Sequence, residues 1–156
     1  MCGIFGIAVT PESRIGADAW KQAVKRLFIL SETRGKEAAG LAIATDHELF
    51  VAKDSVSASQ MMKTQEFSNL LGRTADWFEK PGETALAAIG HSRLVTNGLQ
   101  GIDANNQPVW RDEVVLIHNG IVVNVDELWA REKANGLEPK AEVDTEVIGA
   151  LLSRYR

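Results

Sequence analysis

Cysteine is almost absent from this chain: Cys2 is the only one in 156 residues. No internal disulfide framework can form, which fits a reducing compartment. Histidine is nearly as scarce. His47, His91 and His118 are scattered, and no Cys or His pair has the spacing of metal ligands, so no metal is expected. No apolar run approaches the length of a bilayer span. No basic region followed by an apolar stretch and a cleavage site marks a signal peptide. A formal net charge of -4 gives no electrostatic reason to expect nucleic acid or an anionic membrane as partner. Internal repeats, low-complexity tracts and linkers are missing too. What is left is 45% hydrophobic and 24% charged, the ordinary composition of one packed cytosolic domain.

The residues that are present alternate between buried strands and amphipathic helices. Residues 2–9 are apolar or glycine on both alternations, which predicts a first strand covered on both faces. Trp20, Val24, Leu27 and Phe28 recur at helical spacing in a helix that fades near Thr33. Gly40 to Thr45 and Glu48 to Asp54 read as a strand pair turned at Asp46-His47. Ser57 and Gln60 form a capping-box pattern opening a second helix, with Gly72 as its terminator and residues 73–84 as a connector. Ala85 to Arg93 form a third apolar strand, and Gly98 to Pro108 read as a surface loop. Glu113 to Asn124 read as a strand broken at Asn119-Gly120, a dipeptide suited to positive φ. Asn124 and Glu127 are caps for a helix stopping near Gly136, and Asp144 caps a last helix with Val147, Ile148, Leu151, Leu152 and Tyr155 in one stripe. This mixture predicts a layered α/β or α+β architecture.

The position of Cys2 gives the chain a chemistry. If Met1 is removed, one residue carries a thiol and a free α-amine, whose unperturbed pKa is roughly 8. The amine can then take the thiol proton directly or through one water, so nucleophile and base arrive together without a histidine. On position alone Cys2 reads as a small buried hydrophobe in a first strand.

Four further segments break the core pattern with polar residues: Arg34-Gly35-Lys36-Glu37-Ala38-Ala39-Gly40, His91-Ser92-Arg93-Leu94-Val95-Thr96-Asn97-Gly98, His118-Asn119-Gly120 and Val143-Asp144-Thr145-Glu146. With the Cys-Gly-Ile start, this order resembles the class II, N-terminal-nucleophile glutamine amidotransferases, with the glutaminase domain of glucosamine-6-phosphate synthase as the nearest echo. Amidophosphoribosyltransferase, glutamate synthase and asparagine synthetase share the type more distantly. The likeness runs from Cys2 to about Leu152. It implies an α+β fold, a four-layer αββα sandwich of the N-terminal-nucleophile hydrolase type. It also implies glutamine hydrolysis through a γ-glutamyl thioester, with no cofactor and with ammonia passed to a synthase domain or subunit.

By the same resemblance Cys2 is the nucleophile, and the Asn119 side-chain amide and Gly120 N–H form the oxyanion hole. Arg93 grips the substrate α-carboxylate, Asp144 holds the α-ammonium, and Arg34, Gly35, Thr96 and Asn97 complete the substrate pocket. Each residue alone has a plainer reading: Arg93 as a surface arginine, Asn119-Gly120 as a turn, Asp144 as an N-cap and Gly35 as a helix terminator. His91 and His118 read as structural. Leu94 and Asn97 depart from the tryptophan and histidine usual in the aminosugar synthases, and Thr96-Asn97 is closer to the glutamate synthase type, so the ammonia acceptor stays unassigned. The chain is shorter than the usual domain. It is therefore expected to be a fragment, a reduced form, or a domain completed by another chain or a second copy. The rival from a different class is a non-catalytic module that keeps the fold to bind glutamine or a partner.

Overall fold

The computed structural model describes residues 2–80, 85–94 and 105–155. Their strands are β1 (Gly3–Val9), β2 (Ala38–Ala44), β3 (Leu49–Asp54), β4 (Leu86–Arg93), β5 (Val109–Arg111) and β6 (Val114–Leu116). The helices are α1 (Ala17–Glu32), α2 (Ala58–Met61), α3 (Gln65–Gly72), α4 (Ala75–Glu79), α5 (Val125–Lys133) and α6 (Thr145–Arg154). A four-stranded antiparallel sheet has the order β1-β4-β2-β3, and β5 pairs with β6 in a second sheet.

Period-two alternation sorts the first sheet into two faces. One presents Phe5, Leu41, Ile43, Leu86 and Ala88 to Trp20, Val24 and Phe28 of α1 and to Phe67, Leu70 and Leu71 of α3. The Phe28 ring stacks on Phe67 at 5.8 Å and tilts against Phe5 at 5.7 Å. Burying one such ring contributes roughly 2 to 3 kcal/mol, so this cluster is the main apolar core. Gly90, opposite Phe5, leaves room for the ring: a Cβ there would meet Phe5 Cε1 at 2.1 Å.

The other face carries His91 and Arg93 on β4 and Gly40 on β2. A Cβ on Gly40 would lie 2.1 Å from Gln107 O, so the segment leading into β5 rests directly on the sheet. Gly149 of α6 packs in turn on Arg111 and Leu116 of the small sheet. Helices, large sheet, small sheet and helix therefore follow one another in the expected αββα order.

Several local expectations are corrected. The outer face of β1 is open: Ile4 is 49% exposed, and Gly6 and Ala8 are exposed beside it. β1 is an outer strand, and the 105–108 segment covers β2 and β4 instead, while small residues at positions 6 and 8 leave little apolar surface to hide. The 98–108 loop is buried where it is described, with Asn105 and Asn106 only 1% and 2% exposed. Residues 73–84 contain α4, whose Trp77 and Phe78 meet edge to face at 5.2 Å. The helix opened by Ser57, whose capping box is present, breaks into α2 and α3 because Thr64 caps the Phe67 N–H and restarts it. Gly136, at φ +83, ends the turn after α5, as a C-terminal glycine should. Asn124 stands at the N-cap of α5 without a side-chain cap bond.

The small sheet and α6 are tied by a buried ion pair. Arg111 Nη1 lies 2.6 Å from Glu146 Oε1, both side chains almost fully buried. Glu146 also accepts from the backbone N–H groups of Lys140, at 2.9 Å, and Ala141, at 2.7 Å. Cutting a buried pair strands a charge, which costs about 3 to 5 kcal/mol. Glu146→Ala should lower unfolding free energy by that order in urea titrations; an unchanged midpoint would mean that the carboxylate is not holding α6 to the sheet.

Candidate active site

Cys2 stands immediately before β1, where two glycines let the backbone close in. A Cβ on Gly3 would be 2.1 Å from Ser31 O at the end of α1, and the Ser31 and Ser92 hydroxyls bond at 2.7 Å beside it. A Cβ on Gly35 would lie 2.3 Å from the carbonyl carbon of Arg93. Gly35 has no left-handed φ, so close approach explains it rather than helix termination. The Glu37 N–H donates to Arg93 O at 3.2 Å and fixes the same corner. The Cys-Gly and Arg-Gly pairs thus bring the ends of β1, β4 and α1 to one point.

At that point Cys2 Sγ lies 3.6 Å from Leu94 O, and Cys2 N donates to Asn119 Oδ1 at 3.2 Å. With its carbonyl end engaged, the Asn119 amide keeps its NH2 end as the donor. Gly120 follows, and a Cβ there would meet His118 Nε2 at 2.6 Å, so only glycine lets the imidazole sit against this turn. A cleft of about 400 Å³ opens beside Cys2, lined also by His91, Arg93, Asn119, Gly120 and Asp144. A second depression beyond Cys2 is lined by Arg34 and Asn119. Cys2, Asn119, Gly120, Arg93 and Asp144 are therefore gathered around the cleft, whereas Arg34 lines only the second depression and Gly35 packs on the backbone of Arg93, so neither of these two expected pocket residues lines the cleft. Thr96 and Asn97 lie outside the described residues.

Arg93 is not a surface arginine. It is 6% exposed, and its Nη1 donates to Asn105 O and Asn106 Oδ1, both at 3.0 Å. Asp144 occupies the N-cap position of α6, but its side chain makes no cap bond. Its Oδ2 accepts from Val122 N at 2.7 Å, drawing the turn after Gly120 toward the cleft. The longer strand expected over 113–124 stops at Leu116 because the polar groups of His118 are taken by a side chain: Gln107 Nε2 donates to His118 O at 3.0 Å, and His118 N donates to Gln107 Oε1. Sequence reading missed Asn105, Asn106 and Gln107, which sit in a stretch of polar residues with no apolar period; only the low apolar content of 98–108 hinted at anything, and it suggested solvent.

His91 lines the cleft while 1% exposed, and neither ring nitrogen has a hydrogen-bond partner among the described residues. Burial, reinforced by the Arg93 charge, lowers its pKa to about 4, against a weaker opposite pull from the polar backbone of His118. It is thus a neutral imidazole at neutral pH. Because the folded pKa is depressed, its contribution to stability is fully present above about pH 6.5 and is lost as pH falls toward about 4. The stability difference between wild type and His91→Asn should shift by on the order of 3 kcal/mol across that window. Urea unfolding at several pH values measures it, and a constant difference would mean that the ring protonates freely in the fold.

Comparison with known proteins agrees with this geometry. A solved structure described as the allosteric regulatory enzyme of purine biosynthesis superposes with a TM-score of 0.71 at 26% identity, over 98% of this chain and 30% of that one. That match, with its antiparallel sheets and the cysteine entering the first strand, defines an N-terminal-nucleophile type of fold. Residues 91–156 match the family model of the glutamine amidotransferase domain. The amidophosphoribosyltransferase of Mycobacterium tuberculosis is 33% identical over 97% of this chain and 27% of its own length. The glutamine–fructose-6-phosphate aminotransferase (isomerizing) of Streptomyces coelicolor is 34% identical over 98% of this chain and 22% of its own. The chain spans about a quarter of the length of these relatives. It belongs to the glutamine amidotransferase domain family.

Proposed function

We propose that this chain is one glutaminase domain that hydrolyses glutamine to glutamate and ammonia through a thioester on Cys2. The observation that carries the reading is the Cys2 nitrogen at 3.2 Å from Asn119 Oδ1, with the Cys2 thiol at the mouth of the same cleft. Once Met1 is removed that nitrogen is an α-amine held by an acceptor, and it takes the thiol proton. The thiolate adds to the side-chain carbonyl carbon of glutamine, and the oxygen gains negative charge between Asn119 Nδ2 and the Gly120 N–H. The C–N bond then breaks, the ammonium proton of Cys2 passes to the departing nitrogen, and ammonia leaves. Water adds to the thioester, gives its proton to the same amine, and the thiol is released with glutamate.

Arg93 and Asp144 offer opposite charges to the α-carboxylate and α-ammonium of the substrate, and Thr96 and Asn97 are proposed as further substrate contacts. No cofactor enters these steps. Ammonia goes to an acceptor on another domain or subunit, in keeping with relatives that are several times longer, and association with a second copy is part of this reading. The setting is the cytoplasm; no helix among the described residues is long and apolar enough to cross a membrane.

Intact-mass measurement with a glutamine-analogue electrophile tests the nucleophile. One adduct should form on chain lacking Met1, and none on Cys2→Ala, which should also stop ammonia release while remaining folded. Blocking removal of Met1 should do nearly the same; ammonia release at the unmodified rate from either variant would refute the mechanism and favour a binding module. Steady-state kinetics separate the roles. Asn119→Ala should lower kcat roughly a hundredfold with KM little changed. Arg93→Ala and Asp144→Ala should chiefly raise KM, and an Asn119 effect confined to KM would remove it from the oxyanion hole.

A further inference from the structure

Gln107 ties together several parts of the site although the mechanism does not use it. Its amide meets both polar groups of the His118 backbone, accepting from N and donating to O at 3.0 Å, and Nε2 is also 3.2 Å from Thr145 Oγ1. Its own carbonyl oxygen is pressed onto β2 at Gly40, where no Cβ fits. The neighbours are anchored as firmly. Asn105 Oδ1 accepts from Glu142 N at 3.0 Å, and Lys53 Nζ donates to Asn106 O at 2.8 Å.

We infer that Gln107 is a positioning residue that aims the Asn119 and Gly120 donors, and that through Thr145 it keeps them in register with Asp144. This rests on the glutaminase reading above. The His118 carbonyl and the Asn119 N–H share one rigid peptide plane, so holding the carbonyl fixes the plane from which Asn119 departs. Only the two dihedrals of Asn119 then separate the clamp from the plane that carries the Gly120 N–H. Among the described residues no strand pairing holds His118, since β6 ends at Leu116. The side-chain amide therefore supplies the order that a ladder supplies elsewhere. An amide is the side chain for this task, since it donates and accepts from adjacent atoms and can match a peptide's N–H and C=O together.

The clamp predicts a loss in chemistry without a loss in binding or thiol reactivity. Gln107→Met keeps length and bulk but removes all three bonds. In the full chain lacking Met1, its kcat for glutamine should fall roughly tenfold to a hundredfold, the penalty typical of a displaced reacting group, with KM within about threefold. Alkylation of Cys2 by iodoacetamide, a displacement that builds no oxyanion, should stay within about twofold of wild type. Gln107→Glu provides a second reading if the first variant does not fold. As a carboxylate it accepts from His118 N but cannot donate to His118 O, so its kcat relative to wild type should recover as pH falls and the carboxyl gains a proton.

Wild-type kcat in Gln107→Met overturns the inference. So does a parallel fall of kcat and alkylation, a rise in KM alone, or a Gln107→Glu ratio that is flat with pH. A wild-type chain that alkylates at Cys2 yet hydrolyses no glutamine overturns the glutaminase reading and the clamp with it. An active wild type matched by its variants removes the clamp alone.

Discussion

The site depends on how closely three backbone ends can approach. α1 ends against β1 at Gly3, and the turn after α1 ends against β4 at Gly35; at both places a single Cβ would sit within 2.5 Å of main-chain atoms. Such an overlap cannot be relieved by a rotamer change, because the atoms met are backbone. Either side chain would push α1 away from the sheet and carry Cys2 or Arg93 with it. The apolar core under α1 keeps the approach tight, with Trp20, Val24 and Phe28 fully buried. Close packing of the core and placement of the cysteine are in this sense one constraint.

The second layer of the site is polar and works differently. On the far face of the sheet the segment 105–108 is fixed less by apolar contact than by directed bonds: Arg93 to Asn105 and Asn106, Lys53 to Asn106, and Gln107 to His118 and Thr145. Hydrogen bonds of this kind contribute about 1 kcal/mol each, yet leaving a buried member unpaired costs more, so the set holds a single arrangement. The buried Arg111–Glu146 pair does the same at the start of α6, and it brings Asp144 to the cleft. The face of β1 that this polar layer does not reach remains open around Ile4.

Much of this was legible in the chain. The strands and helices over 2–9, 20–33, 40–54 and 85–93 follow from their apolar content and spacing, because at least one face of each is buried in the core. The capping box at Ser57 and the stop at Gly136 are local effects that neighbouring residues decide. Cys2 stood out as the sole cysteine behind Met1, and Arg93, Asn119, Gly120 and Asp144 as polar or glycine residues interrupting such patterns; the fold does gather them around one cleft. Less legible were β5, the burial of Asn105 and Asn106, and the early end of β6, since polar residues without a period read as solvated loop whether or not they are buried.

The sequence by itself determined which segments could form strands and helices, and which residues carried a nucleophile, a turn glycine or a charge. Those properties belong to single residues and to spacings of two to four positions. Only the tertiary structure decided that Gly35 serves close packing rather than a helix end, and that the Asp144 carboxylate reaches Val122 instead of capping α6. It likewise decided that Gln107 takes the backbone of His118 out of a strand. Each of these outcomes depends on a partner between 11 and 58 positions away. A side chain that can bond in several ways is assigned one by whatever the fold brings beside it.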